Sequence, residues 1–112
     1  MIFRNKFSED IFNLKYKHEG CETWPQLAST LVHEVCDDLM VKSEVEQLVQ
    51  YVSDMKFIPG GRYLWYAGRP LKYYNNCFLL KAEQDTREDW ATLANKVTSA
   101  LMSGGGNGVD YS

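Results

Sequence analysis

The residues able to do chemistry are few and far apart. Cys77 is the one cysteine in a distinctive setting, with polar Asn75 and Asn76 before it and the apolar run Phe78-Leu79-Leu80 after it. A thiol there is either a small buried hydrophobe, the ordinary fate of cysteine, or a redox group. No base adjoins it, and neither a Ser/His/Asp set nor a pair of carboxylates presents itself elsewhere. Cys21 and Cys36 are distant from it and no Cys-x-x-Cys pair occurs, which argues against a disulfide scaffold or a zinc site within the chain. His18 and His33 each stand without a second ligand at metal spacing and read as packing residues.

Two glycine-rich stretches complete the inventory. Ser103-Gly104-Gly105-Gly106-Asn107-Gly108 bares backbone N–H groups, but it lacks the Gly-x-x-x-x-Gly-Lys-Ser/Thr pattern and follows a helix instead of opening one. By pattern alone it is a helix stop that runs into a linker or into a loop before Val109-Asp110-Tyr111. Pro59-Gly60-Gly61 breaks the preceding helix and predicts a tight turn in backbone conformations closed to other residues.

Helices and strands must hold these groups. Phe7, Ile11 and Leu14, with Phe12 beside them, predict one side of a short first helix capped by Ser8, with Gly20 ending that element or the loop after it. Thr23 caps a second helix with Pro25 in its first turn and Trp24, Leu27, Leu31, Val35 and Leu39 on one face. Ser43 and Glu46 fit a capping box for a third, whose stripe is Val45, Leu48, Val49, Val52 and Met55. After a run of aromatics, 76–80 reads as a short buried strand. Asp85 or Thr86 caps a last helix with Glu88 and Asp89 in its first turn and Trp90, Leu93, Ala94, Val97 and Leu101 toward the core; it stops at Gly104, and Val109 onward enters another strand.

The composition, 45% hydrophobic and 13% aromatic over 112 residues, is that of one folded domain or a segment of a larger one. The formal charge of −3 and the lack of any Lys/Arg stripe give no electrostatic footprint for nucleic acid. No apolar run approaches the ~20 residues that span a bilayer, and the start has no signal-peptide pattern, so the expected location is the cytoplasm, without a membrane partner.

Three motifs in register carry a resemblance. Pro59-Gly60-Gly61-Arg62-Tyr63-Leu64-Trp65-Tyr66-Ala67-Gly68, then Asn76-Cys77-Phe78, then Ala100-Leu101-Met102-Ser103-Gly104-Gly105-Gly106-Asn107-Gly108-Val109 resemble, in order and spacing, the beginning of the catalytic barrel of ribonucleotide reductase large subunits. Gly60-Gly61-Arg62 and Leu64-Trp65 are most similar to the adenosylcobalamin-dependent class, and Glu22-Thr23-Trp24 with Tyr16 resembles its helical lead-in. The resemblance implies a mainly α chain carrying the first strands of the ten-stranded α/β barrel: a helical lead-in over 1–56 and the incomplete start of the barrel over 57–112.

It also implies an activity, the radical reduction of ribonucleotides to deoxyribonucleotides that supplies DNA replication. Cys77 matches the reductant thiol on the first barrel strand, its partner lying outside this chain. The substrate-binding positions become Gly60, Gly61, Arg62, Asn76, Cys77, Gly105 and Gly106. Asp85 and Thr86 match the place where relatives hold a deoxynucleotide effector, although a helix cap explains both equally. Asn107 departs from the apolar residue usual in the glycine motif. Adenosylcobalamin would be the radical source, with its binding residues mostly outside this chain, and a thioredoxin-like protein the external reductant. The radical-bearing cysteine, the partner thiol and the carboxy-terminal thiols are expected in the remainder of the polypeptide, so 1–112 alone is expected to be inactive. The competing expectation is a small non-catalytic helical interaction module with an inert Cys77 and a glycine-rich linker at its end.

Overall fold

The computed structural model describes residues 3–111 and divides the chain into two compact units between Lys72 and Tyr73. In the first, α1 (Lys6–Ile11) is capped one turn earlier than expected: the Asn5 side chain accepts from Ser8 N–H at 2.9 Å. Asparagine caps as well as serine, so Ser8 becomes a residue of the first turn. A π-helical turn, Phe12–Tyr16, continues α1. Its wider winding rotates the faces, so that of the expected stripe Phe12 is buried in the core while Phe7, Ile11 and Leu14, the last 86% exposed, are not. His18 and Cys21 then exchange backbone bonds across a turn with Gly20 at φ 87°.

Helix α2 (Trp24–Cys36) starts as its sequence dictates. Thr23 Oγ1 accepts from Gln26 N–H at 3.4 Å, Gln26 Oε1 accepts from Thr23 N–H at 3.0 Å, and Pro25 occupies the first turn. Trp24, Leu27, Ala28, Leu31 and Val32 are buried. Leu39 lies beyond the helix end and is exposed.

Helix α3 (Lys42–Ser53) begins before Ser43, and no side chain caps it. The expected Ser43/Glu46 box does not form; Glu44 and Val45 N–H donate to Val41 O instead, while burial of Val45 and Val52 sets the helix's position. The Trp24 indole N–H donates to Val52 O at 3.0 Å, giving the buried ring its polar partner. At the C-terminus, Met55 N–H donates to Val52 O and Lys56 N–H to Tyr51 O, with Met55 at φ 58°. That position normally takes glycine. Methionine pays the left-handed strain because its side chain packs on the core.

Helix α4 (Gly61–Tyr66) is the aromatic run itself, with Leu64 and the following Ala67 buried. Gly60 precedes it at φ −59° and ψ 155°, and neither Gly60 nor Gly61 has a positive φ. The expected glycine-only turn falls instead at Gly68, φ 74°. The core of this unit joins α2, α3, α4 and the π-helical turn, with Phe3, Phe12 and Trp24 rings 5.5 to 6.4 Å apart.

The second unit is a β-α-β element. Strands β1 (Cys77–Lys81) and β2 (Gly106–Asp110) pair in parallel, joined through α5 (Arg87–Met102). Thr86 caps α5 by accepting from Asp89 N–H at 3.1 Å, with Glu88 and Asp89 complementing the positive helix end. Leu93 is buried, whereas Trp90 is half exposed against Tyr111, with ring centroids 5.0 Å apart, and Leu101 is exposed. β1 was expected to be buried; instead Phe78 and Leu80 are partly covered while Cys77, Leu79 and Lys81 are exposed. A period-2 strand shows one face only to its covering helix. The glycine stretch therefore enters a paired strand at Gly106 and does not run on as a linker. Among the described residues no helix is long and apolar enough to cross a membrane.

Candidate functional site: a thiol beside a glycine strand

The register that pairs Cys77 with Gly106 brings together four of the residues singled out by sequence: Asn76, Cys77, Gly105 and Gly106. Gly106 N–H donates to Asn76 O at 2.9 Å, which fixes the start of the ladder. Cys77 is exposed, its thiol free, on the outward face of β1. A Cβ built on Gly106 would stand 3.5 Å from Cys77 Sγ, and one on Gly108 3.5 Å from Leu79 Cδ1. On this face β2 thus lays bare backbone beside a row of β1 side chains, and a ligand can reach the sulfur across it without meeting a side chain at 106 or 108.

Gly105 has a different reason to be glycine. It is buried, and a Cβ there would lie 2.5 Å from Phe78 Cε2 and 3.3 Å from Ala100 O. Its role is close packing of the ring against the loop. The amides of the loop are also committed: Gly104 N–H donates to Leu101 O at 2.9 Å and Gly105 N–H to Ala100 O at 3.0 Å, closing α5 with Gly104 at φ 84°. With Gly106 N–H on Asn76, these three donors are committed within the fold and are not available to an anion.

Asn107 points to the covered side, in register with Phe78, and neither its side-chain oxygen nor its nitrogen has a hydrogen-bond partner although both are buried. An unsatisfied amide of this kind costs about 1–3 kcal/mol. It is the residue that departs from the glycine motif of the family whose sequence this stretch resembles.

Gly60, Gly61 and Arg62 belong to the first unit. Gly61 opens α4, where a Cβ would come 3.2 Å from Tyr16 Oη, and the Arg62 guanidinium lies 5.7 Å from the Tyr66 ring centroid. Thr86 is the helix cap, and Asp85 is exposed just before it.

Elsewhere, an apolar cleft of about 350 Å³ lies between α2, α3 and the 57–63 segment, lined by residues such as Leu31, Val35, Leu48 and Tyr63. It offers no cluster of polar groups for chemistry. Among the described residues no three His, Cys, Asp or Glu side chains are grouped to hold a metal ion. His33 Nδ1 lies 2.8 Å from Asp37 Oδ1 on the exposed side of α2. His18 is not simply packed, because both of its ring nitrogens meet backbone carbonyls. Only Gly68 in the sequence hinted at that close approach. Compared with models of known protein families and with curated proteins, the chain matches none.

Proposed function

We propose that this chain is the amino-terminal part of a ribonucleotide reductase catalytic subunit of the adenosylcobalamin-dependent class, working in the cytoplasm and contributing one reductant thiol and part of the substrate wall. The observation that supports this most is the parallel pairing of β1 with β2, in which Cys77 stands exposed beside the side-chain-free Gly106. The three sequence motifs are the other support.

In this reading Cys77 and a second thiol, supplied by the rest of the polypeptide, are the reductants. Each gives up one electron and one proton as the S–S bond forms; the ribonucleotide loses its 2′ hydroxyl as water and gains hydrogen at C2′. The balance is one ribonucleotide and two thiols giving one deoxyribonucleotide, one disulfide and one water. A thioredoxin-like dithiol returns the pair to the reduced state. Holding Cys77 on a strand suits that exchange, because a disulfide requires Cα atoms within ~7 Å and a sulfur aimed along a fixed line. Adenosylcobalamin, bound by residues mostly outside this chain, would supply the radical that starts the reaction. Asn76 and Gly106 would border the ribose; Gly60, Gly61 and Arg62 are assigned to substrate binding by the resemblance alone. Asp85 and Thr86 would contact a deoxynucleotide effector.

The test uses the full reductase polypeptide. Cys77→Ser is expected to abolish multiple turnover with the external dithiol while leaving nucleotide affinity within about twofold, since serine keeps the shape and loses the redox couple. Undiminished multiple turnover in Cys77→Ser would refute the assignment. A coding sequence after Ser112 that contains neither a further glycine-rich strand nor additional cysteines would remove the family reading.

A further inference from the structure

The apolar cleft between α2, α3 and the 57–63 segment reaches down to the core of the first unit. Its floor is Leu31, Val32 and Val52, which are 2%, 3% and 0% exposed, and its sides include the partly buried Val35, Leu48 and Tyr63. Chains normally collapse onto such a gap, because interiors pack with few voids larger than a water molecule.

Here the outer wall is held off. Met55 N–H donates to Val52 O at 3.0 Å, and Lys56 and Phe57 N–H donate to Tyr51 O at 2.9 and 3.3 Å, so the wall's backbone is tied to the end of α3. Met55 adopts φ 58° to make that turn, a left-handed conformation that costs any residue but glycine. Pro59 then fixes its own φ within the wall. Moving the wall inward would break these bonds, so the cleft is part of the fold and not a packing fault.

The lining selects its occupant. No Asp, Glu, Lys, Arg or His side chain faces the cleft, and a charge entering it would lose water without gaining a counter-charge. Water gains little against branched aliphatic walls and is readily displaced by apolar surface. The volume of about 350 Å³ is roughly twice the ~150 Å³ of an apolar cavity that takes up benzene.

We infer that this cleft is a preformed binding site for a neutral hydrocarbon ring system about the size of two fused rings. The aliphatic floor covers one side of the ligand, and Tyr63 with the half-exposed Phe57 covers the other. Every residue involved belongs to the first unit, so the site stands whether or not the chain is part of a reductase.

Naphthalene is the probe, and the Cys36 thiol, which lines the cleft, reports occupancy. In the whole chain, half-protection of Cys36 from a water-soluble thiol reagent is expected at on the order of 10 µM naphthalene, for ten well-buried carbons. At ten times that concentration Cys36 should be labelled about tenfold more slowly by mass action, with Cys77 labelled at its usual rate. An unchanged Cys36 rate in water saturated with naphthalene overturns the proposal. Val35→Phe puts a ring of the protein's own into the cleft and is expected to weaken naphthalene binding by about tenfold or more; affinity within about twofold of the unsubstituted chain overturns the site. The Cys36 measurement decides alone should Val35→Phe not fold. Sedimentation tests the other occupant: the ligand-free chain is expected to be a monomer with Cys36 reactive, and a dimer that itself shields Cys36 overturns the assignment, because a second copy then fills the cleft.

Discussion

The two units solve the burial problem differently. The first surrounds its apolar residues from several sides: Leu27 and Val52 are 0% exposed, and Trp24 adds a hydrogen bond inside the core. The second has one covering layer. Leu93 and Ala82 are buried in it, yet Leu79 on the strand and Met102 at the helix end are each 83% exposed. A single helix can cover only one face of a two-stranded sheet, and parallel sheets are ordinarily covered on both. The difference separates roles: the first unit is built to be stable, and the second holds a thiol on an open face.

The widest expected contrast lies in the cysteines. A water-soluble thiol reagent should modify Cys77 in the native protein, Cys36 more slowly, and Cys21 slower than Cys77 by on the order of a thousandfold, because Cys21 is reached only when the core opens. Peptide mapping of the labelled protein over time measures this. Equal rates for Cys21 and Cys77 would mean that the first unit's core is not closed.

Next in size are two matched truncations. Leu27→Ala should cost about 3 kcal/mol in urea unfolding, and Leu93→Ala about 2 kcal/mol, because a site under one covering layer relaxes more readily around the lost methyls. A larger loss at Leu93 would reverse the comparison between the units.

The finest distinction is between neighbouring glycines. Gly105→Ala drives a Cβ into the Phe78 ring and should cost about 1–3 kcal/mol, seen as faster hydrogen exchange along β2. Gly106→Ala meets only an ordinary contact with Cys77 Sγ and should stay within about 0.5 kcal/mol. If both substitutions are neutral, Gly105 is not the packing glycine that the Phe78 contact makes it.

Much of the local structure was legible in the sequence for local reasons. Thr23 with Pro25, Thr86 with Glu88 and Asp89, and the stop at Gly104 act within one helical turn, and each element begins or ends where those residues direct it. The misreadings share a cause in packing. Ser43 and Glu46 had the right spacing for a cap, but burial of Val45 and Val52 governs α3 more strongly than its exposed first turn. Leu14 had helical spacing for the core, but a π-turn re-aimed it. Gly60 and Gly61 read as a special turn, yet it is Gly68 that uses the left-handed conformation.

The same division applies to the candidate site. The sequence alone determined that Cys77 begins a strand and that a glycine stretch follows the last helix, because strand propensity and helix termination depend on near neighbours. Only the tertiary structure decided that the two strands run in parallel with Cys77 opposite Gly106, that Gly105 is buried under Phe78 while Gly106 lies open beside the thiol, and that the loop amides are already paired. Register between segments almost thirty residues apart depends on how α5 packs back across the strands, and short-range sequence preferences carry no information about that packing.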